Sequence, residues 1–234
     1  MSEPSATLPS SGSAPLTASD RHFLLRRLHS LTGILPIGAF MLFHFFENAS
    51  ARSGAAEFNA TVLKIAGMPY VYAMEIFLLA IPIAFHSLYG IFITASSRPT
   101  LTYGTARNWA YMMQRISGMI GLVYIVYHVV STRVWSLVVK QDHITFQDMH
   151  DKLSNPIVLL LYVVGIVALT FHFANGLWSF SITWGLVRTR QGQNRLAQAT
   201  MAIFAVLCIV GLDILSAFVR EKSILAELGN ALFG

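Results

Sequence analysis

Four histidines stand inside long apolar stretches of the sequence, one in each of four different stretches: His44, His86, His128 and His172. Two share a local signature, Phe85-His86 and Phe171-His172, with a glycine four residues beyond each histidine, Gly90 and Gly176. A neutral imidazole offers one nitrogen as a hydrogen-bond donor and the other as a lone pair that can bond a metal. In hydrocarbon such a group needs a partner, and an intramembrane ionisable residue marks a site of function. A lone intramembrane histidine can also serve as a hydrogen-bonding contact between helices. What separates the two readings is whether the four imidazoles fall into matched sets, which depends on the elements that carry them.

Of the 234 residues, 55% are hydrophobic and only 12% charged, with mean hydropathy +0.59. So little polar surface excludes a soluble globule of this size and points to a polytopic membrane protein. The net charge of +5 does not indicate nucleic acid. The 16 Lys and Arg are scattered through short connections between apolar spans, the distribution that sets membrane topology. The one cysteine, Cys208, lies inside an apolar span, so no disulfide framework, thiolate metal site or iron–sulfur cluster can be built from this chain alone. Residues 1–20, rich in Ser, Pro, Thr and Ala, are predicted to form a flexible tail without a signal-peptide pattern. Residues 21–234 are then one transmembrane domain.

Five apolar spans follow, approximately Leu31 to Phe46, Tyr70 to Ala95, Trp109 to Val130, Ile157 to Val187 and Ala199 to Phe218. Each can cross a ~30 Å hydrocarbon core at ~1.5 Å per residue, counting flanking turns for the first. Backbone polar groups must be satisfied internally in lipid, and no strand-like alternation is present, so the spans are predicted to be helices. Pro69 and Pro156 fall at helix starts, whereas Pro36 and Pro82 are interior and are expected to kink their helices. No span is broken by paired Gly or Pro near the midplane in both halves, which argues against a transporter. The fourth span is the longest and is expected to project beyond the bilayer, with Arg188 to Arg195 at its end as a dock for a soluble partner or for lipid headgroups.

Basic residues favour a cytoplasmic N-terminus by nine to seven, and seven of the eleven acids fall on the other side. With alternating spans, His44 and His128 then lie roughly 5 to 8 Å from the outer edge, and His86 and His172 roughly 24 to 26 Å from it. Two imidazoles at each of two depths, on different helices, form two bis-axial ligand sets, the arrangement required by two haems b without covalent attachment. Zinc would need four ligands converging at one level. The expected fold is therefore all-α: five transmembrane helices in a bundle around two stacked haems b. Gly90 and Gly176, on the same faces as the deeper histidines, would clear space for a flat macrocycle.

The remaining histidines divide by location. His143 and His150 fall in a polar connection and are expected to be solvated. His29 lies in the donor cluster Arg26-Arg27-Leu28-His29-Ser30 at the inner mouth of the first span, where haem propionates or a partner can be met. Arg115 begins the third span at a similar level and wants an anion, either a lipid phosphate or a propionate. Asp213 in the fifth span reads as a helix-packing residue.

Several motifs together carry a family resemblance. They are Arg26-Arg27-Leu28-His29-Ser30 with Gly33, Arg107-Asn108-Trp109, Gln114-Arg115 with Gly118, Tyr127-His128 with Thr132-Arg133, and Phe171-His172-Phe173-Ala174-Asn175-Gly176-Leu177-Trp178-Ser179-Phe180 followed by Thr183-Trp184-Gly185. Over about Arg21 to Phe218 the chain resembles the cytochrome b558 subunits of succinate dehydrogenase, the single-chain di-haem anchors of type B succinate:quinone oxidoreductases. The resemblance implies a multi-pass subunit of the bacterial cytoplasmic membrane. It would dock a flavoprotein subunit carrying FAD and an iron–sulfur subunit on the cytoplasmic face, with no succinate chemistry of its own. By the same resemblance His86 and His172 would ligate the inner haem iron and His44 and His128 the outer one, with menaquinone reduced near the outer haem. Cofactor contacts would include Gly90, Gly176, Arg27, His29, Ser30 and Arg115. Glu75 and Glu47 are the acids near the outer level that can relay protons to quinone, or that can simply be interfacial acids. The alternatives are a quinol:fumarate reductase anchor and a haem-free structural anchor. Thr170 stands where the fumarate-reducing branch carries a glutamate, which favours succinate oxidation.

Overall fold

The structure, a computed structural model, describes residues 17–96 and 105–233. The expected tail lies almost wholly outside the described residues, and so does Arg98 among the basic residues used for orientation. Eight helical elements follow: α1 (Ser19–Ser53), α2 (Ala55–Ala66), α3 (Val71–Ser96), α4 (Arg107–Lys140), α5 (Phe146–Leu153), α6 (Pro156–Thr183), α7 (Arg190–Arg220) and α8 (Ile224–Phe233). Five of them, α1, α3, α4, α6 and α7, are long and apolar enough to cross a membrane. The chain is an all-α, multi-pass membrane bundle.

Local sequence sets the ends. Thr17 caps α1 in a reciprocal box with Asp20, the Thr17 oxygen accepting from the Asp20 N–H at 3.2 Å and the Asp20 carboxylate accepting from the Thr17 N–H at 3.1 Å. Asn155 caps α6 with Pro156 at its first position, where the missing N–H costs nothing. The interior prolines coincide with irregular turns. Pro36 falls within a π-helical segment, Gly33–Gly38, and a second, Glu75–Ala80, directly precedes the turn containing Pro82. Each proline leaves the carbonyl four residues earlier without its usual donor, and the widened turn absorbs the defect. Two further π segments, Val130–Val134 and Ser136–Lys140, end α4.

The fourth helix is shorter than the apolar span read from the sequence. α6 ends at Thr183, because Gly185 adopts φ +72 and turns the chain, and the Leu186 N–H reaches back to the Ser181 carbonyl at 2.9 Å. Arg188 therefore lies in the connection, while Arg190 and Arg195 open α7, which at 31 residues is longer than the 28-residue α6.

α6 packs between α4 and α7, and α3 sits at the edge with no buried residue. Large apolar side chains face outward along the spans, such as Phe46, Leu88 and Ile157, as hydrocarbon permits. The tightest packing lies at the end of the bundle remote from the N-terminus, the far end. Short helices α2 and α5 close over it there, with Phe58 edge-on to Phe218 at 5.0 Å and Phe146 5.2 Å from Phe218. His150 belongs to this packing rather than to solvent, its Nδ1 donating to the Phe218 carbonyl at 2.8 Å. Asp213 is buried and joins three elements. It pairs with Arg52 at 3.1 Å and accepts from Ser223 Oγ and the Leu225 N–H, both at 2.9 Å, fixing the start of α8. Other ion pairs at this end join Arg133 to Glu75 (2.7 Å), Lys140 to Asp148, and Arg220 to Glu227 (2.9 Å).

Candidate functional site

Helices α3 and α6 bring His86 and His172 together with ring centroids 6.1 Å apart and planes nearly perpendicular. Helices α1 and α4 do the same for His44 and His128, at 5.8 Å and 74°. These are the two pairs that the depth count requires. Two imidazoles sharing one ion through ~2 Å metal–nitrogen bonds place their ring centres roughly 6 Å apart, so both spacings suit a bridging iron. Among the described residues no group of three or more His, Cys, Asp or Glu side chains converges, so the sites are pairs.

The deeper pair is oriented from outside. His86 Nδ1 lies 2.9 Å from the His29 carbonyl on α1, and His172 Nδ1 lies 2.9 Å from the Gln114 carbonyl on α4. A carbonyl only accepts, so in both rings Nδ1 carries the proton and Nε2 keeps its lone pair. A fixed tautomer of this kind is what a metal-bonding histidine needs from its surroundings. The Gln114 amide is in turn held by Asn175, whose Nδ2 donates to Gln114 Oε1 at 2.7 Å.

The supporting residues recur at one spacing. On α1 and α4 the accepting residue is followed four positions later by a glycine, His29 by Gly33 and Gln114 by Gly118. On α3 and α6 each histidine is followed four positions later by a glycine, His86 by Gly90 and His172 by Gly176. A Cβ at Gly33 would lie 2.5 Å from His86 Cε1, and one at Gly118 would lie 2.8 Å from His172 Cε1. Any side chain there would displace the imidazole. Gly90 and Gly176 are less crowded, a Cβ meeting His29 Nε2 at 3.1 Å and Gln114 Nε2 at 3.4 Å.

A cavity of about 280 Å³ runs between α1, α3, α4 and α6 beside this pair. All four glycines line it, along with Gly38, Gly121 and a continuous apolar wall including Ile37, Ile83, Leu122 and Phe173. Lone-pair nitrogens from two sides, an apolar wall and a cradle that side chains would fill match a flat apolar macrocycle bonded through its centre. The residues fit a b-type haem.

The other predicted contacts separate. His29, Ser30 and Arg115 line the cavity, whereas Arg27 does not. Its guanidinium lies between the Phe23 and Trp184 rings, 4.9 Å from each centroid. Arg115 stacks 4.1 Å over the Tyr111 ring and donates to its hydroxyl. His29 also stacks on His86, centroids 4.1 Å apart and planes within 6°.

Around the shallower pair the fixing groups are side chains. His128 Nδ1 lies 3.1 Å from the buried Tyr162 hydroxyl, and Tyr124 stacks on the same ring at 5.6 Å. His44 stacks with Phe40 at 5.4 Å, and its Nδ1 is 3.5 Å from Glu47 Oε2 and 3.2 Å from the Asn48 amide. The other Glu47 oxygen is buried, with no hydrogen-bond partner among the described residues. Glu75 is engaged by Arg133, which donates to it at 2.7 and 3.2 Å. Sequence reasoning missed Gly33, Gly118, Gln114, Tyr162 and Arg133 as parts of these sites. The four-residue spacing of the glycines was the available signal for the first two.

Comparison with known proteins identifies the family. The family model for succinate dehydrogenase/fumarate reductase transmembrane subunits matches residues 94–211, a segment that holds one histidine of each pair. The succinate dehydrogenase cytochrome b558 subunit of Bacillus subtilis (strain 168) is 37% identical over 203 residues, covering 86% of this chain and 100% of that protein.

Proposed function

The chain belongs to the succinate dehydrogenase/fumarate reductase transmembrane subunit family, as a cytochrome b558-type membrane anchor, and on that premise we propose that it holds two haems b, one above the other. His86 and His172 bond one iron, and His44 and His128 bond the other. With the N-terminus cytoplasmic, the first is the inner haem. Bound there, the two haems supply one-electron carriers between FAD and iron–sulfur clusters on the partner subunits and menaquinone in the bacterial inner membrane.

The carrying observation is the pair of Nδ1–H to carbonyl bonds at 2.9 Å, His86 to His29 and His172 to Gln114. They leave both Nε2 atoms unprotonated, that of His172 3.4 Å from the Gln114 amide nitrogen, while the opposed glycines keep side chains out of the way. A packing histidine needs only one hydrogen bond and no cleared cradle. His29, Ser30 and Arg115 line the same cavity as polar groups for the acidic edge of the macrocycle, the Ser30 hydroxyl here donating to the Arg27 carbonyl at 2.9 Å. Arg27, clamped between two rings, contributes to the inner face instead. Glu75 and Glu47 are the acids that deliver protons to reduced quinone at the outer level, Glu75 held in place by Arg133.

Thr170 is fully buried, and its hydroxyl donates to the Ile166 carbonyl at 2.7 Å. The position carries no titratable group and favours succinate oxidation over fumarate reduction. A reduced-minus-oxidised spectrum of the purified complex with a haem-to-chain ratio tests the proposal. Two b-type haems per chain are expected, and one or none overturns it.

A further inference from the structure

The basic residues at the far end of the bundle are seven, and four of them, Arg52, Arg133, Lys140 and Arg220, meet carboxylates as described. Lys64 and Lys222 are exposed. Lys152 is different. It is half-buried in the last turn of α5, and among the described residues no carboxylate lies within ion-pair distance of it. Its ammonium donates to the Ser131 carbonyl and lies 3.4 Å from Ser131 Oγ. Asp148, the acid whose charge reaches it, is committed to Lys140 and to the Thr145 N–H and hydroxyl.

Ser131 follows His128 by three residues on the same face of α4, and its hydroxyl points back to the His128 carbonyl at 3.5 Å. The Lys152 charge is therefore set about one turn beyond His128, on the side of the His44–His128 pair facing the far surface. A lysine stem is long and flexible, and one this close to the surface ordinarily extends its ammonium into water. Here it turns inward, where a charge without a counter-charge is costly. One peptide carbonyl satisfies a neutral donor. It does not neutralise a cation.

We propose that Lys152 is the counter-charge for a carboxylate of the group held by His44 and His128, a propionate of the outer haem. The inference rests on the haem reading above. It makes the short helix α5 part of the cofactor site, closing it from the far surface through one side chain. The ammonium also places a positive charge beside the iron, which favours the reduced state by opposing the charge gained on oxidation.

The test uses the assembled complex with Lys152→Met, Lys152→Gln and Lys152→Arg, read by haem-to-chain ratio and potentiometric titration of each b-type band. The glutamine variant keeps a donor for Ser131 and removes only the charge, so it remains informative if the methionine variant fails to assemble. Expected for both neutral variants is a selective change in the haem that His128→Ala removes: its partial loss, or a tenfold shift toward the oxidised form, 59 mV lower for one electron. Lys152→Arg should stay within threefold of the parent. Unchanged potential and occupancy in Lys152→Gln, or equal shifts in both haems, overturns the proposal alone. A parent complex with fewer than two haems overturns the haem reading and this proposal together.

Discussion

Gly118 and His172 stand face to face across α4 and α6, so closely that a Cβ on the glycine would lie 2.8 Å from Cε1 of the imidazole and 3.1 Å from its Nδ1. That Nδ1 is the atom bonded to the Gln114 carbonyl one turn earlier on α4. A side chain at residue 118 would therefore push the ring off the bond that sets its tautomer. Gly118→Val is expected to lower retention of the inner haem roughly 5- to 150-fold, the range of an overpacking cost of about 1–3 kcal/mol. Gly33→Val should act alike through His86, and the outer haem should remain in both. Haem content per chain in detergent, at matched chain assembly, checks this. Full occupancy in both variants would show that the glycines serve helix packing only.

The same geometry fixes which histidines must act together. His86→Ala and His172→Ala should each take the complex from two haems per chain to one and remove the same spectral band. His44→Ala and His128→Ala should each remove the other. If a His86 variant and a His172 variant lose different bands, the 6.1 Å approach of their rings is packing and the pairing is wrong.

The pairs were legible in the sequence because depth in a membrane follows from counting residues along straight spans, and four imidazoles in lipid leave few harmless explanations. The groups that orient them were not. His29 and Gln114 act through backbone carbonyls, which every residue has, so residue type carries no trace of the role. Arg133 and Glu75 meet across 58 residues of sequence, inside or beside π turns that no local pattern announces. The fourth helix was read too long for a similar reason. Trp184, Leu186 and Val187 continue the apolar run, and only the positive φ of Gly185 ends the helix. Arg27 belongs to the same donor cluster as His29 in sequence, but residues two positions apart on a helix point about 200° apart, and its guanidinium meets two aromatic rings.

Asp213 tests the far end independently of any cofactor. Its carboxylate is buried, pairs with Arg52 and accepts hydrogen bonds from Ser223 and the Leu225 N–H, tying α1, α7 and α8 together. Removing the acid leaves the Ser223 hydroxyl and the Leu225 N–H without their acceptor and frees the exposed Arg52, a loss of about 1–3 kcal/mol for the unsatisfied buried groups. Asp213→Ala is expected to lower the thermal midpoint of the purified complex and to speed tryptic cleavage at the already exposed Arg220 and Lys222, as α8 detaches and the backbone around them unfolds. Asp213→Asn should lie between, since it keeps an acceptor oxygen. An unchanged tryptic pattern in Asp213→Ala would show that α8 is held by its apolar face rather than by this carboxylate.

The helix that carries Lys152 has its own acid-sensitive latch. Burial pushes the Asp148 carboxyl upward, but hydrogen bonds from Lys140 and Thr145 and the Lys140 charge outweigh it and hold the group below its ordinary 3.8. A depressed carboxyl stabilises the folded state fully above the ordinary value, and that contribution is lost as pH falls from 3.8 through the lower folded value. Amide protection in α5, normalised to the intrinsic exchange rate, should therefore be flat above about pH 5 and decline below about pH 4. Asp148→Asn should start lower and show no decline in that window, because the group that titrates is gone. Thr145→Ala should lose part of the protection at neutral pH, since it removes the hydroxyl that caps the helix, while leaving an acid-dependent remainder from Lys140. A decline in Asp148→Asn equal to the parent's would assign the acid sensitivity to another carboxylate.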